Sequence, residues 1–266
     1  MMQHLRLNHD LLLMKNVRLL FCFIFSLMSF SSWAEDTVQL RVMYYRIWKV
    51  DLDDNFSQGQ DMTLDIGETT SYFYYRDTVD HMKYPINDSR RYKQASYSVL
   101  KNIETGKLAY SESFSSKDIW FRYEEDMPQW EWELQEGDSI ILGYPCKKAV
   151  ASFRGRTWTA WYAIDLPYDN GPWKLCGLPG LILLAEESDR CFKFKCTGIA
   201  KGDGFVIAEE DHHYQKVKPK RMQEIWQMRY MDPDAFMLLS TGREIKTISS
   251  NIPMRERKPC LIEIFE

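Results

Sequence analysis

Histidine is scarce in this chain: five in 266 residues, with only His81, His212 and His213 beyond residue 34. A Ser or Cys triad would have to use one of these three, and none sits in a supporting local pattern. G-x-S-x-G, H-E-x-x-H and a glycine-rich dinucleotide fingerprint are all missing, so no hydrolase, zinc-protease or Rossmann signature is present. No C-x-x-C occurs, which removes thioredoxin-like chemistry and zinc ribbons. There is no long charge run of one sign and the net charge is -4, so a nucleic-acid partner is not expected. No second long apolar run follows the first 34 residues, so the remainder carries no transmembrane anchor. Two charged clusters remain. Glu124-Glu125-Asp126 reads as solvated loop charge, and Glu209-Glu210-Asp211-His212-His213 would put its two imidazoles on opposite faces of a strand, unfocused on any metal. No catalytic residue, cofactor or metal is therefore assigned.

What is present begins with an address. Lys15 and Arg18 form a basic region, the run Leu19-Leu20-Phe21-Cys22-Phe23-Ile24-Phe25 opens an apolar core, and Ser32-Trp33-Ala34 supplies small residues where a signal peptidase reads. Residues 1–34 are expected to be an N-terminal extension and signal peptide cleaved after Ala34, leaving residues 35–266 as one domain in the periplasm. Met14 is an alternative start to Met1. Five of the six cysteines lie beyond the leader: Cys146, Cys176, Cys191, Cys196 and Cys260. In an oxidising compartment an odd number leaves at least one thiol unpaired within the chain.

Aromatic residues make up 14% of the chain, with 9 Trp and 15 Tyr, a composition suited to pleated, half-buried surfaces. Val38, Leu40, Val42 and Tyr44 alternate with polar neighbours as a first strand; residues 62–66 and 70–75 are two more. The polar stretch 76–94 is a long excursion. From 108 to 199 strand follows strand. Trp130, Trp132 and Leu134 alternate with Glu131, Glu133 and Gln135, and Glu136-Gly137-Asp138 reads as the turn that follows. Residues 147–153 and 157–164 form a hairpin closed by Arg154-Gly155-Arg156, with Trp158, Ala160, Tyr162 and Ile164 on one face. Glu186 to Arg190 closes another. Pro219 opens a helix through Met222, Ile225, Trp226, Arg229 and Tyr230; Asp232 caps a shorter one; residues 260–264 close the chain as a final strand. The expected fold is mainly β (α+β): an antiparallel sheet, curved as a half-barrel, with a few late helices packed on it.

The run Trp173-Lys174-Leu175-Cys176-Gly177-Leu178-Pro179-Gly180-Leu181-Ile182-Leu183 resembles the signature of the GLPGLI family, spelled by residues 177–182. Gly143-Tyr144-Pro145-Cys146, Phe153-Arg154-Gly155-Arg156, Trp161-Tyr162 and Gly171-Pro172 follow the family's order, so the similarity spans residues 35–266. It implies a signal-bearing protein of the Gram-negative envelope, often encoded beside outer-membrane uptake receptors, and carries no catalytic residues. Leu178-Pro179-Gly180-Leu181 fits a type II turn, with Gly180 supplying positive φ and Gly177 letting the backbone pass close to a neighbour. Cys146 and Cys176 lie inside these motifs, each just after a turn signal, and are the disulfide candidate. Cys191 and Cys196 are rivals, and Cys260 is able to recruit one of them from the end of the chain.

Two expectations for the aromatic set stay open. Trp120, Tyr123, Trp130, Trp132, Trp158, Trp161, Tyr162 and Trp173 either fill a core or line a cradle for a peptide, glycan or lipid chain. In the cradle, Trp158 and Trp161 stack on the ligand while Arg154 and Arg156 meet a carboxylate. The function expected is non-enzymatic: a periplasmic binding or accessory protein of an outer-membrane uptake system, with an outer-membrane receptor or other envelope protein as partner. A hydrolase and a structural envelope protein are the alternatives.

Overall fold

Alternating stretches become strands because a period of two puts one set of side chains on the core face and the other in water. The computed structural model describes residues 36–75, 96–113, 120–209, 212–232, 235–236, 238–239 and 258–265. The leader, the 76–94 excursion and His81 lie outside the described residues. Within the unit Asp36–Glu266, β1 (Leu40–Trp48), β2 (Gln58–Ile66), β3 (Thr70–Tyr75), β4 (Ser96–Asn102), β5 (Lys107–Ser113) and β6 (Trp120–Asp126) form one antiparallel meander. A second comprises β7 (Glu133–Ile141), β8 (Tyr144–Phe153), β9 (Arg156–Ala163), β10 (Leu181–Glu187) and β11 (Phe192–Lys201). Antiparallel pairing of β1 with β11 fuses them, and β12 (Tyr214–Lys216) adds to β6 in parallel. The result is one 12-stranded sheet, mostly antiparallel and open, with β12 and β7 at its edges. α1 (Pro219–Met231) buries Met222, Gln223, Ile225 and Trp226.

The topology forces this sheet to curl. β6 and β7 lie ten strand positions apart, a distance of about 48 Å if the sheet were flat. The connection between Asp126 and Glu133 is able to span only about 25 Å when fully extended. Curling carries the tip of β6 to the β8–β9 turn, where Arg154 forms an ion pair with Glu125. Aromatic rings cover the enclosed face. Tyr97, Tyr110 and Tyr123 stack in sequence across β4, β5 and β6 at 5.5 and 5.2 Å between centroids. Trp158 stacks on Trp173 at 5.4 Å and on Phe194 at 6.1 Å.

Several expectations are corrected. Glu136-Gly137-Asp138 is no turn: it is a bulge inside β7, where the register to β8 shifts between Gln135 and Asp138, an irregularity that an edge strand tolerates. Trp130 and Trp132 precede that strand. Ile164 is exposed because β9 ends at Ala163, before the alternation reaches it. Residues 260–264 are extended but form no strand; Cys260 N–H donates to Val50 O and Ile264 N–H to Arg154 O, so the segment crosses between elements. The two signature glycines exchange roles. Gly177 adopts φ +86°, whereas Gly180 is the close approach, since a Cβ there would overlap the Ala163 carbonyl, and the type II turn is not formed. Ala235 N–H donates to Asp232 Oδ1 (3.0 Å), the capping bond expected after α1.

The disulfide joins Cys191 to Cys260, and Cys146 and Cys176 are buried thiols. The indole N–H groups of Trp130 and Trp132 donate to Lys174 O (3.1 Å) and Cys176 O (2.7 Å), holding the Cys176 loop against the β6–β7 connection. The Cys176 thiol accordingly faces Pro128 O at 3.8 Å, while the Cys146 thiol donates to Tyr144 O at 3.3 Å.

Candidate ligand pocket

The residues singled out on the β8–β9 hairpin do not share a surface. Trp158 is wholly buried in the core. Trp161, three positions on, is half-buried on the other side of the strand. Arg156 is buried, donating to Leu261 O (2.9 Å), Glu187 (3.2 Å) and Asp189 (2.7 Å). Arg154 bonds Glu125 and Glu263. These arginines tie strands together.

The same holds around the signature run. Lys174, fully buried, reaches Glu263 (2.7 and 2.8 Å), Glu125 (2.5 Å) and the Tyr123 hydroxyl (2.6 Å). Lys101 donates to Asn170 Oδ1, Gly171 O and Leu175 O at 2.9–3.0 Å, and burial lowers its pKa to about 8. Leu178 and Leu181 are buried beside it. The Glu209–His213 cluster is also engaged: Glu209 pairs with Arg122 at 2.7 Å, and His212 stacks on Trp120 at 4.1 Å, while residues 210–211 lie outside the described residues.

A different arrangement appears where α1 meets β5, next to the end of β1. On β1 the inward positions run Val42, Tyr44, Arg46, Trp48, so a cation follows two core residues at the same parity. Opposite Arg46 on β2 is Gln60, at the parity of Met62 and Leu64. Opposite Tyr97 on β4 is Glu112 of β5. Register therefore places polar groups at positions where the sheet otherwise buries apolar ones. Of these, Arg46 and Glu112 border a cavity of about 380 Å³, lined also by Trp48, Trp226, Arg229, Cys260 and Leu261, whereas Gln60 and Tyr97 are not part of its lining.

The electrostatics of this pocket are unlike those of the hairpin. The Arg46 guanidinium lies over two rings, 4.4 Å from the Trp48 centroid and 4.5 Å from that of Tyr97, within cation–π range of both. Yet among the described residues its buried Nε has no hydrogen-bond partner. Both amide atoms of Gln60 and the hydroxyl of Tyr97 are likewise buried without one among those residues. Glu112 accepts from Tyr110 Oη and Trp226 Nε1, both at 2.6 Å. Burial raises its pKa above the usual carboxylate range, opposed by those donors and by the nearby positive charges of Arg229 and Arg46. An unpartnered buried polar atom costs about 1–3 kcal/mol, so Arg46 Nε and the two side chains beside it, Gln60 and Tyr97, are an energetic liability of this region. Sequence reasoning missed this pocket, although its signal was available: Arg46 and Glu112 each break the inward apolar parity of their strand.

Residues 154–184 match a family described as proteins of unknown function (Porph_ging). The match runs from the β8–β9 turn into β10 and includes residues 177–182. No curated protein matches the chain. Two solved structures of PNGF-II are similar to it: the P21 form at 15% identity and TM-score 0.48, over 70% of this chain and 32% of that one, and the C2 form at 14% and 0.49, over 72% and 33%. The chain thus spans about a third of the length of those solved chains.

Proposed function

We propose that this chain is an exported, non-enzymatic binding or accessory protein of the cell envelope, serving an outer-membrane uptake system, and that it holds its ligand in the pocket beside Arg46. The observation that carries the reading is the cavity of about 380 Å³ lined by the cations Arg46 and Arg229 beside the aromatic rings of Trp48, Tyr110, Phe192 and Trp226. Export is supported by the basic-apolar-small order of residues 15–34 and by the Cys191–Cys260 disulfide, which suits an oxidising compartment. Among the described residues no helix is long and apolar enough to cross a membrane. The resemblance to the GLPGLI family supports the envelope setting.

Binding is favoured over hydrolysis by the lining of the pocket. Among the described residues, Glu112 is the one carboxyl group on the lining, Cys260 is held in a disulfide, and no Ser, Thr, His or Lys lines it. No nucleophile and base are paired among them. Purification from the native envelope followed by native mass spectrometry tests the proposal. The expected result is a small molecule carried by the wild type and lost from Arg46→Met. A molecule retained by Arg46→Met, or turned over on incubation, would overturn it.

A further inference from the structure

Independently of that pocket, we propose that the outward face of the sheet carries a second binding site, a platform for an acidic oligosaccharide laid over Trp161. Outward positions of an open antiparallel sheet ordinarily carry polar side chains. Residues directly opposite on neighbouring strands share a face. Register here builds one row across β1, β11, β10, β9 and β8: Tyr45, Lys195, Leu184, Trp161 and Lys148. The adjoining residues Tyr44, Phe194, Leu183, Ala160 and Ala149 are wholly buried, so the row faces outward. Trp161 and Leu184 form a half-buried apolar floor, and a lysine stands on either side of it. At the β7 bulge Gly137 has φ +139°, and a Cβ there would lie 3.3 Å from Trp161 Cη2 and 3.7 Å from Lys148 Cδ. A glycine at that point keeps the rim of the indole uncovered.

Charge on this row is unbalanced. Nearby, Lys193 pairs with Glu186 at 3.0 Å and Lys147 with Asp138, but no carboxylate pairs with Lys148 or Lys195 among the described residues. The two lysines stand three strand spacings apart, about 14 Å. Acidic groups spaced along a chain with one apolar side complement that order. A bilayer is disfavoured, because Trp161 and Leu184 are half-buried and do not project for insertion. An extended acidic peptide is disfavoured, because β8 to β11 each have a neighbour on both sides and leave no strand edge to pair its amides. A pyranose ring sets its C–H face on the negative face of the indole and keeps its hydroxyls in water. Its uronate carboxylates then meet the flanking ammonium groups.

Calorimetric titration with trigalacturonate, its trimethyl ester, hexaglutamate and phosphatidylglycerol vesicles tests the assignment. Trigalacturonate should bind about tenfold tighter than the ester, and the advantage should shrink as salt is raised. Lys148→Gln combined with Lys195→Gln should remove that advantage, whereas Trp161→Ala should weaken acid and ester alike. Melting curves verify that each variant is folded, and the lysine pair keeps the test decisive should Trp161→Ala fail to fold. Equal binding of acid and ester overturns the proposal, as does an advantage that survives loss of both lysines. Tighter binding of hexaglutamate assigns the row to an acidic peptide instead. Vesicle binding that trigalacturonate does not displace assigns it to a membrane surface. Either result overturns the saccharide, as does trigalacturonate that fails to bind.

Discussion

Two polar clusters are buried against the enclosed face of one sheet, and they are built in opposite ways. Around Lys174 the charges are matched: its ammonium meets Glu263 and Glu125, and Arg154 meets the same two carboxylates. Around Arg46 the guanidinium has rings for neighbours, and the Gln60 amide and Tyr97 hydroxyl go unanswered. A satisfied buried network specifies structure, whereas an unsatisfied one costs stability and persists where function returns the cost. Charge and burial alone do not separate the two clusters. Partner accounting does.

The sharpest test exchanges one cation in each cluster. Lys174→Met should cost about 3–5 kcal/mol, because it strips a buried carboxylate pair of one of its two cations. Arg46→Met should cost less, about 1–2 kcal/mol, since two ring contacts and a distant charge interaction with Glu112 are lost but no paired counter-charge is stranded. Urea denaturation of both variants decides it, and equal losses would erase the distinction.

Removing the disulfide comes next. The bridge spans a sequence separation of 69 residues, and the chain-entropy model gives about 4 kcal/mol for such a loop. Cys191→Ala with Cys260→Ala should lower the thermal midpoint accordingly, and reductant should reproduce the loss in the wild type alone. Because Cys260 lines the pocket and Glu263 of the Lys174 cluster follows it by three residues, the bridge tethers a segment that both clusters use, and ligand affinity should fall with it.

Within the signature run the two glycines should respond differently. Gly180→Ala meets the Ala163 backbone and should cost about 1–3 kcal/mol through overpacking. Gly177→Ala meets only ordinary contacts with Trp130 and Trp132 and pays for positive φ, about 1 kcal/mol. Paired chemical denaturation separates them.

The smallest effect is a pH slope. Lys101 has its pKa lowered by burial to about 8 from the ordinary 10.5. Below pH 8 both folded and unfolded states hold the proton, so stability does not respond. Between 8 and 10.5 the unfolded state binds more protons, so stability rises with pH, by at most about 1.4 kcal/mol per unit. Wild type should therefore gain on Lys101→Met between pH 8 and 9.5. Burial raises the pKa of Tyr110, Tyr123 and Cys196, which works in the other direction but is common to both proteins and cancels in the difference. A flat difference would mean that the three carbonyl-type acceptors hold the ammonium charged through this range.

Local signals were legible wherever local physics set the outcome. Alternation placed Val42 and Tyr44 on the buried side of β1, and Arg154-Gly155, both at positive φ, closes the β8–β9 hairpin as a two-residue turn. Pro219 starts α1 as its fixed φ requires. The misreadings came where distant neighbours intervened. Gly137 looked like a turn because a bulge and a turn use the same residue types. Cys146 and Cys176 looked like a pair because their motifs are alike, while the indoles of Trp130 and Trp132 hold the Cys176 loop elsewhere.

The sequence by itself therefore determined which side chains share a face, where the chain turns and which residues are polar at inward parity, since each depends on backbone geometry within a few residues. Only the tertiary structure decided which inward polar groups meet partners. Lys174 finds Glu125 and Glu263 from 49 and 89 positions away, after β1 has paired with β11 and the sheet has curled. Arg46 meets Tyr97 and Trp48, and among the described residues its Nε finds no acceptor. Period two does not encode strand order, and strand order is what decides which inward charge meets a counter-charge.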